Sequence, residues 1–429
     1  MTRGPHNEEP PGYLVRLVGQ RAGMLVAGRG VAAMASIVGG VLMARWLGPA
    51  AYGRLQASRA WVMLFVFLAE WGLDRVVVQQ ASADRDRVDD WAGQLLFWRL
   101  VMGLIAAGGC CVVGWIVRPG DALVPLLSVF LVGKGLLGAV LARCQLSGAF
   151  GRMAVVAALD RAGYLVLVVA LLWPGHWQQS TAARAAWSIV LAPLVATALG
   201  LAWAARPRQW RFRLSRVQAF LDAVHRPAAF LMLAGLVATP LQKIDVLMIE
   251  HWHGDDAVGM YGLALTALGW LFIATESLHS VLLPISSQRQ SRRYFARLLR
   301  RTLVLVAAAA VFALLVWPTA EWAIGLVLPQ YVGAAGPLRV LVWVFPLALA
   351  CVWCIQVYDS TGNQWLNLVN GIVMTAVNVA MCWWLIPSRG VGGAAVSLVG
   401  AFAAAVVVGL PSAAVVLRTL SEDAAPGPE

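Results

Sequence analysis

Several charged side chains lie within long apolar stretches of the sequence, away from the ends of those stretches. The basic ones are Arg29, Arg59, Arg99, Lys134, Arg161 and Lys243, and the acidic ones are Glu70, Asp160, Asp245 and Glu276. At the centre of a bilayer each would cost roughly 2.5–3.5 kcal/mol, so six unpaired cations would cost about 18 kcal/mol. Because this exceeds the net stability of most domains, we expect these groups to face a wet cavity, to pair with acids or to extend to the membrane surface.

Lys243 and Asp245 lie together in the apolar stretch TPLQKIDVLMIEHW. Residues two apart point about 200° apart on a helix, so these two cannot easily neutralise each other. We expect one to face a cavity and the other to face a neighbouring helix. Lys134, in LVGKGLLGAV, is the other lysine of the chain and is predicted to lie near the midplane, where its side chain cannot reach the surface. All three are therefore predicted to be functional.

Three of the arginines also have a structural interpretation. Arg29 and Arg99 each lie about seven residues from a segment end, roughly 10 Å at 1.5 Å per residue. A long side chain can recover much of that distance by extending to the surface. Arg161 directly follows Asp160, and neighbours on a helix point about 100° apart, so each of these two is expected to need another partner.

The segments that must position these residues indicate a polytopic membrane protein. Of the 429 residues, 60% are hydrophobic and 13% are charged, and the mean hydropathy is +0.74. Apolar runs of about 20 residues cross a bilayer core as helices, and none of them alternates as a membrane β-strand would. We predict an all-α fold with twelve transmembrane segments, at 22–45, 54–73, 92–117, 121–142, 153–173, 185–205, 228–249, 257–283, 302–328, 336–358, 365–386 and 391–417.

The distribution of the net charge of +12 argues against nucleic-acid binding. With these segments, 21 Lys and Arg residues fall in the loops and tails of one side and 6 in the loops of the other. The positive-inside rule places the basic side, with both termini, in the cytoplasm. The N-terminal tail lacks a signal-peptide core, so the first segment is expected to remain as a helix.

The twelve segments divide into two groups of six around a basic stretch. We predict a cytoplasmic tail, a six-helix bundle, a basic cytoplasmic linker, a second six-helix bundle and a second tail, at 1–21, 22–205, 206–227, 228–417 and 418–429. The linker sequence SRVQAFLDAVHRP is expected to form an amphipathic helix on the inner face. A shared pattern follows the first segment of each half: Trp46, Gly48 and Tyr52-Gly53, then Trp252, Gly254 and Tyr261-Gly262. Such a repeat is typical of transporters.

The sequence MARWLGPAAYGRL resembles the end of the first helix in bacterial polysaccharide and O-antigen flippases. DVLMIEHWHGDDAVGMYGLA, LPQYVGAAGPLRVL and NVAMCWWLIPSRGVGGAAVS are similar to later segments of that family. The four matches, in order, indicate the multidrug/oligosaccharidyl-lipid/polysaccharide (MOP) exporter superfamily, which also contains lipid II flippases and multidrug antiporters. The resemblance implies a MATE-like fold of two pseudo-symmetric bundles, with a cationic central cavity lined largely by segments 1, 2, 7 and 8.

The resemblance also implies a substrate and a set of site residues. The substrate would be a prenyl-phosphate- or pyrophosphate-linked oligosaccharide, moved from the cytoplasmic to the outer leaflet of the bacterial inner membrane. The residues expected to neutralise phosphate are Arg29, Arg59, Lys134 and Lys243, and those expected to form salt bridges or couple an ion are Asp245, Glu276 and Glu70. The expected partners are this lipid-linked substrate, the bilayer, a polysaccharide polymerase and other export machinery.

Two other functions stay open at this point. A cation-coupled multidrug exporter of the same superfamily would use acids in the cavity, which are present although the cations outnumber them. A membrane glycosyltransferase is less favoured because the sequence has no large extracytoplasmic loop. The sequence also has no ATP-binding loop motif, so the chain itself is not expected to hydrolyse ATP. No cofactor or metal is predicted, since Cys351-x-x-Cys354 lacks a second ligand pair and the acidic turn with His251 and His253 is expected to be solvated.

Overall fold

The computed structural model describes residues 13–74, 76–78, 88–173, 181–204, 210, 212–288, 290–420 and 422, and these form helices, turns and short coil without any strand. The α-helices are α1 Tyr13–Met63, α2 Val66–Glu70, α3 Val88–Val117, α4 Leu123–Leu146, α5 Phe150–Leu172, α6 Ala182–Leu199, α7 Val217–Gln288, α8 Arg292–Val327, α9 Ala335–Leu341, α10 Val344–Ser360 and α11 Trp365–Arg418. There is also a π-helix at Gly200–Ala204, 3₁₀ helices lie at Leu214–Arg216 and Pro329–Ala334, and residues 73–74 and 76–78 are helical. The predicted all-α fold is confirmed.

Nine helical spans in the described residues are long and apolar enough to cross a membrane. Three of them, within α1, α7 and α11, are interrupted by a glycine with positive φ: Gly48 at 76°, Gly254 at 77° and Gly390 at 55°. Side chains other than hydrogen disfavour this conformation. Nine spans with three interruptions are consistent with the twelve predicted segments.

Gly48 and Gly254 occupy the matching positions of the sequence repeat, and their backbones are nearly the same. Their φ values differ by only one degree, and their ψ values, 169° and −175°, are both extended. The two halves of the chain therefore make the same turn after their first apolar segment. We refer to the end of the molecule that carries these two turns as the Gly48 end.

Some predicted boundaries differ from the structure. The segment expected at 54–73 is divided, because α1 ends at Met63 and Trp71, after α2, has a left-handed φ of 39°. The segment expected at 336–358 is divided between α9 and α10. The basic loop expected at 284–301 is mostly helical, since α7 continues to Gln288 and the Ser291 hydroxyl then caps α8 by accepting a hydrogen bond from the Tyr294 backbone N–H.

The basic linker is helical from Leu214 onward, as expected, but its apolar side is not free to lie on a membrane surface. Val217 opens α7, which continues without a described break to Gly254. Phe220, Val224 and Ala228 are buried in one cluster with side chains of the first half, including Leu95 and Ala139. Residues 205–209 and 211 of the predicted linker lie outside the described residues.

The two halves meet closely at the Gly48 end. A Cβ on Gly53 would collide with the backbone of Asp255 and Gly259, and one on Gly259 would collide with the Pro49 carbonyl. The Tyr331 hydroxyl donates a hydrogen bond of 3.0 Å to the Ala44 carbonyl. Backbone from each half therefore touches the other half here, which closes this end of the molecule.

Candidate functional site

A cavity of about 200 Å³ lies inside the first half of the chain. Side chains of α1, α4, α5 and α6 line it, and Thr266 of α7 contributes from the second half. Its charged lining consists of Arg59, Lys134, Asp160 and Arg161, so three cations share the cavity with one carboxylate. The cavity therefore has a positive formal charge and suits an anionic group.

One face of α1 supplies much of the polar wall. Tyr52, Gln56 and Arg59 follow each other at helical spacing, and all three line the cavity. Gln56 donates a hydrogen bond of 2.6 Å to the Tyr52 hydroxyl, which also lies 3.2 Å from the Thr266 hydroxyl. Because residues three or four apart share a helix face, this arrangement holds Arg59 toward the interior and links the wall to α7.

The cations of the cavity differ in how they are paired. The Arg161 Nε lies 3.4 Å from Asp160 Oδ2, so these sequence neighbours pair with each other, contrary to the expectation that each needs another partner. The Lys134 Nζ lies 4.0 Å from Glu70 Oε1. Arg59 forms no salt bridge with any of the described side chains. Its guanidinium is thus available to an anion that enters the cavity.

A second cavity, of about 430 Å³, lies beside the first, and Lys134 lines both. Glu70, Asp74, Arg99 and Gln145 supply its other charged and amide groups. It lies toward the end of the molecule opposite the Gly48 end, because its α4 lining continues from Lys134 to Gln145. Asp121, just before the start of α4, lies at the Gly48 end, 3.9 Å from Arg54. The two cavities therefore follow one another along the axis of the first half.

Arg99 has a structural role different from the one expected. Its side chain is only 2% exposed and does not extend to a surface. It forms a two-contact salt bridge with Asp74, in which Nε donates at 2.9 Å, and its Nη1 donates at 2.6 Å to the Ala69 carbonyl. The Arg99 charge is therefore fully engaged by groups of the chain itself.

Lys243 and Asp245 have different surroundings, and the expectation that one of them faces a cavity stays a prediction. Asp245 is 1% exposed and accepts hydrogen bonds from the Tyr261 hydroxyl at 2.5 Å and the Val246 backbone N–H at 2.8 Å. Lys243 is partly exposed, forms no salt bridge with a described side chain, and is acted on by the charges of Arg59 and Asp245. It lines neither cavity described above.

The structure does not place the remaining predicted residues, Glu276 and Arg29, at either cavity. Glu276 is exposed on α7 and lines neither of these cavities. Arg29 lies on α1, but its side chain is outside the described side chains. The structure thus brings Arg59, Lys134 and Glu70 together and leaves Asp245 in the interior of the second half.

Asp160, Tyr164 and Asp74 were not predicted as site residues, but the structure places all three at these cavities. Asp160 and Tyr164 are four residues apart on α5, and this helical spacing was an available signal. Asp74 lies near a predicted segment end and its pairing with Arg99 joins different helices. No pattern within one segment could indicate that contact.

An ion-pair network at the Gly48 end was also missed. Arg118, at the end of α3, forms a salt bridge with Glu250 of α7 and a second one, at 3.3 Å, with Asp121. Ser58 of α1 donates to Asp121 at 2.9 Å. The pair of Arg118 and Glu250 therefore fastens the two halves together on the side where their backbones meet.

Among the described residues, no group of three or more His, Cys, Asp or Glu side chains is arranged to hold a metal ion. Cys351 and Cys354 are both buried free thiols in the second half. His253 makes a 2.8 Å hydrogen bond to the Ile386 carbonyl. The two thiols are packed in the interior, and His253 is exposed.

Comparison with protein families gives one match that covers more than half of the chain. The model of the family described as "Polysaccharide biosynthesis protein" matches residues 18–290. Among curated proteins, none matches the chain significantly.

Solved structures with similar folds include transporters. A lipid II flippase, MurJ, in an inward closed conformation has a TM-score of 0.71 at 12% identity, covering 90% of this chain and 87% of its own. An inward-facing multidrug resistance MATE transporter of the MOP superfamily has a TM-score of 0.69 at 14% identity, covering 90% and 96%. A MOP superfamily transporter from Pyrococcus furiosus, whose binding pocket is described as having reverse polarity, has a TM-score of 0.63 at 14% identity, covering 92% and 94%. At these identities the similarity shows the fold, which is the MOP transporter fold.

Proposed function

This chain belongs to the polysaccharide biosynthesis protein family, a family of multi-pass membrane proteins with a transporter fold, and on that basis we propose that it is a flippase for a lipid-linked oligosaccharide. The substrate would carry a prenyl phosphate or pyrophosphate and move from the cytoplasmic to the outer leaflet of the inner membrane. In this account the chain moves its substrate without chemical conversion and serves cell-surface polysaccharide synthesis.

The observation that carries this proposal is Arg59, which forms no salt bridge with a described side chain and lies in a cavity with excess positive charge. Arg59 and Lys134 both reach the same space as the Arg161–Asp160 pair. A guanidinium matches the oxygens of a phosphate with two parallel donors. Lys243 is close enough to Arg59 to interact with it electrostatically, so it adds positive potential beside the cavity. A phosphate bound at Arg59 would therefore give a partner to a cation that none of the described side chains pairs.

The second cavity could hold the sugars of the head group. It is the larger of the two, at about 430 Å³ against about 200 Å³, and it adjoins the first at Lys134. The carboxylates of Glu70 and Asp74 and the amide of Gln145 offer hydrogen-bond acceptors and donors that suit sugar hydroxyls. A phosphate at Lys134 would place the first sugar next to these groups.

The closed Gly48 end supports transport by alternating access. We place this end on the outer side of the membrane, because the sequence puts its most basic loops on the opposite side. The cavities would then load from the cytoplasm while the Arg118–Glu250 salt bridge holds the outer side closed. Outward movement of one negative charge gains about 2.3 kcal/mol per 100 mV of membrane potential.

Asp245 is the candidate for ion coupling within this proposal. Its carboxylate is buried in the second half and is held by the Tyr261 hydroxyl. Buried carboxylates inside a membrane protein are costly and mark functional sites by default. Glu276, which is exposed, and Arg29, whose side chain is not described, stay as proposals from the sequence alone.

The proposal is tested by the lipid profile of cells that lack this protein. We expect a prenyl-linked oligosaccharide to accumulate on the cytoplasmic face and wild-type protein to clear it. Arg59→Gln should fail to clear it, whereas Arg45→Gln, an exposed arginine of the same helix, should succeed. An unchanged lipid pool in cells without the protein would contradict the proposal.

One observation favours a second candidate, a cation-coupled multidrug exporter. The same cavity contains the Asp160 carboxylate together with the aromatic rings of Tyr52, Phe130 and Tyr164. Aromatic faces and a carboxylate can hold an organic cation. New sensitivity of the deletion cells to cationic drugs, with an unchanged lipid pool, would favour this function.

A further inference from the structure

The first turns of α8 carry a face of exposed arginines at one end of a helix whose outer side is apolar and exposed. Arg292, Arg297, Arg300 and Arg301 are all exposed, and we call these four residues the arginine face. On the opposite side of the same turns Phe295 and Leu298 are buried against the second half. None of the four arginines forms a salt bridge with a described side chain.

The other described basic segment is different, because a carboxylate offsets part of its positive charge. Arg213 and Arg216 lie next to the start of α7, and their guanidinium groups are 3.5 and 3.2 Å from the Asp90 carboxylate. Asp90 belongs to the first turn of α3. The two basic segments look alike in sequence, but they therefore differ in how much positive charge is available to an external anion.

The position of the arginine face at the start of α8 also favours the binding of an anion. No acidic residue lies in the first turn of this helix, where Arg292 adds its charge to the positive end of the helix dipole. Beyond Arg301 the same face becomes apolar and exposed, at Val304, Val311 and Leu315. From Leu303 to the helix end at Val327 the rise is about 36 Å, enough to cross the hydrocarbon core of about 30 Å.

We propose that the arginine face binds the anionic headgroups of phospholipids in the leaflet next to it. The continuous exposed apolar face places the acyl chains along α8, which puts their phosphates level with the arginines. Arginine pairs with phosphate oxygens through two donors, and each basic residue near an anionic leaflet strengthens binding about fivefold. This surface lies on the outside of the second half, so the proposal does not depend on which solute the cavities carry.

The test compares the thermal unfolding of purified protein in detergent micelles with added phosphatidylglycerol or phosphatidylcholine. For wild type we expect phosphatidylglycerol to raise the unfolding midpoint more than phosphatidylcholine does. Arg300→Gln with Arg301→Gln should lose at least half of that difference, and the fourfold glutamine variant should lose nearly all of it. The matched control, Arg213→Gln with Arg216→Gln, removes the same number of charges and should keep the difference.

A second measurement covers a variant that unfolds too early for this comparison. Native mass spectrometry of the Arg300→Gln, Arg301→Gln protein should show several-fold fewer retained phosphatidylglycerol molecules than wild type. Equal lipid retention, or equal midpoint differences in all variants, would show that the arginine face is a solvated surface and would overturn the proposal.

Discussion

The Lys134 ammonium lies 4.0 Å from the Glu70 carboxylate, at the point where the two cavities of the first half adjoin. The same lysine acts electrostatically on Asp160 in the first cavity. Both side chains of the Lys134–Glu70 pair are partly exposed, so solvent weakens the interaction. Under the proposed function, a phosphate entering the first cavity would compete with Glu70 for this lysine.

Lys134 and Glu70 should therefore have opposite effects on substrate affinity. Lys134→Met removes a charge-assisted contact of about 1.5–3 kcal/mol, so KM for flipping should rise roughly 10- to 100-fold. Glu70→Gln removes a competitor whose Coulomb attraction is about 1 kcal/mol at 4 Å in water, so KM should fall up to about fivefold. Initial rates at varied substrate concentration measure both, and a rise in KM for both variants would contradict competition at Lys134.

Glu250→Gln should weaken closure at the Gly48 end. It removes the charge that pairs with Arg118 across the two halves, and about 1 kcal/mol would shift the closed-to-open ratio about fivefold. Ala50 and His251 are both exposed and lie in different halves. Spin labels at these two positions should show a larger population at long distances when their distance distribution is measured by double electron–electron resonance.

A matched control for this prediction is Glu321→Gln. Glu321 is exposed and pairs with Arg339 at 3.1 Å, within the second half. Its removal should leave the distance distribution unchanged. If both variants behave like wild type, Arg118 and Glu250 do not control this end of the molecule.

Arg99→Leu should destabilise the fold strongly. Loss of one partner of a buried pair costs about 3–5 kcal/mol, and we expect about 3 kcal/mol because Asp74 is one-third exposed. Arg161→Gln, which removes a 45% exposed guanidinium, should cost less than about 1 kcal/mol. Unfolding midpoints of the two variants in the same detergent test this order.

Gly259→Ala should separate the halves where their backbones touch. The added methyl group would collide with the Pro49 carbonyl, and overpacking of this kind costs about 1–3 kcal/mol. Gly269→Ala in the same helix meets nothing within 4 Å, so it should be neutral or slightly stabilising. Equal unfolding midpoints for the two variants would show that the contact at Gly259 is readily relieved.

The sequence predicts the architecture well, because apolar segment length and basic-residue distribution are properties of the chain alone. Gly48 and Gly254 were recognisable as a repeat, and their matching backbone angles explain why glycine stands at both positions. The divided segments at Trp71 and between α9 and α10 were not predicted, because the apolar pattern continues across each break.

The candidate site was predictable only in part. Arg59 and Lys134 could be selected because a charged side chain inside a bilayer is costly and therefore marks a candidate functional site. Their cavity was expected between the halves, on segments 1, 2, 7 and 8, but the described cavity lies mostly inside the first half. The Arg118–Glu250 bridge depends on the distance between helices of different halves, and sequence spacing carries no information about such a distance.

The central claim is that Arg59 binds the phosphate of a lipid-linked oligosaccharide during flipping. The most direct measurement uses purified protein in liposomes that carry a fluorescent prenyl-pyrophosphate-linked oligosaccharide in one leaflet, with a membrane-impermeant quencher to follow its movement. Wild type and Arg45→Gln should flip the lipid at equal rates, and Arg59→Gln should be at least about tenfold slower, as expected for the loss of a contact to a charged group. Equal rates for Arg59→Gln and wild type would contradict the claim, and no flipping by wild-type protein would contradict the proposed function itself.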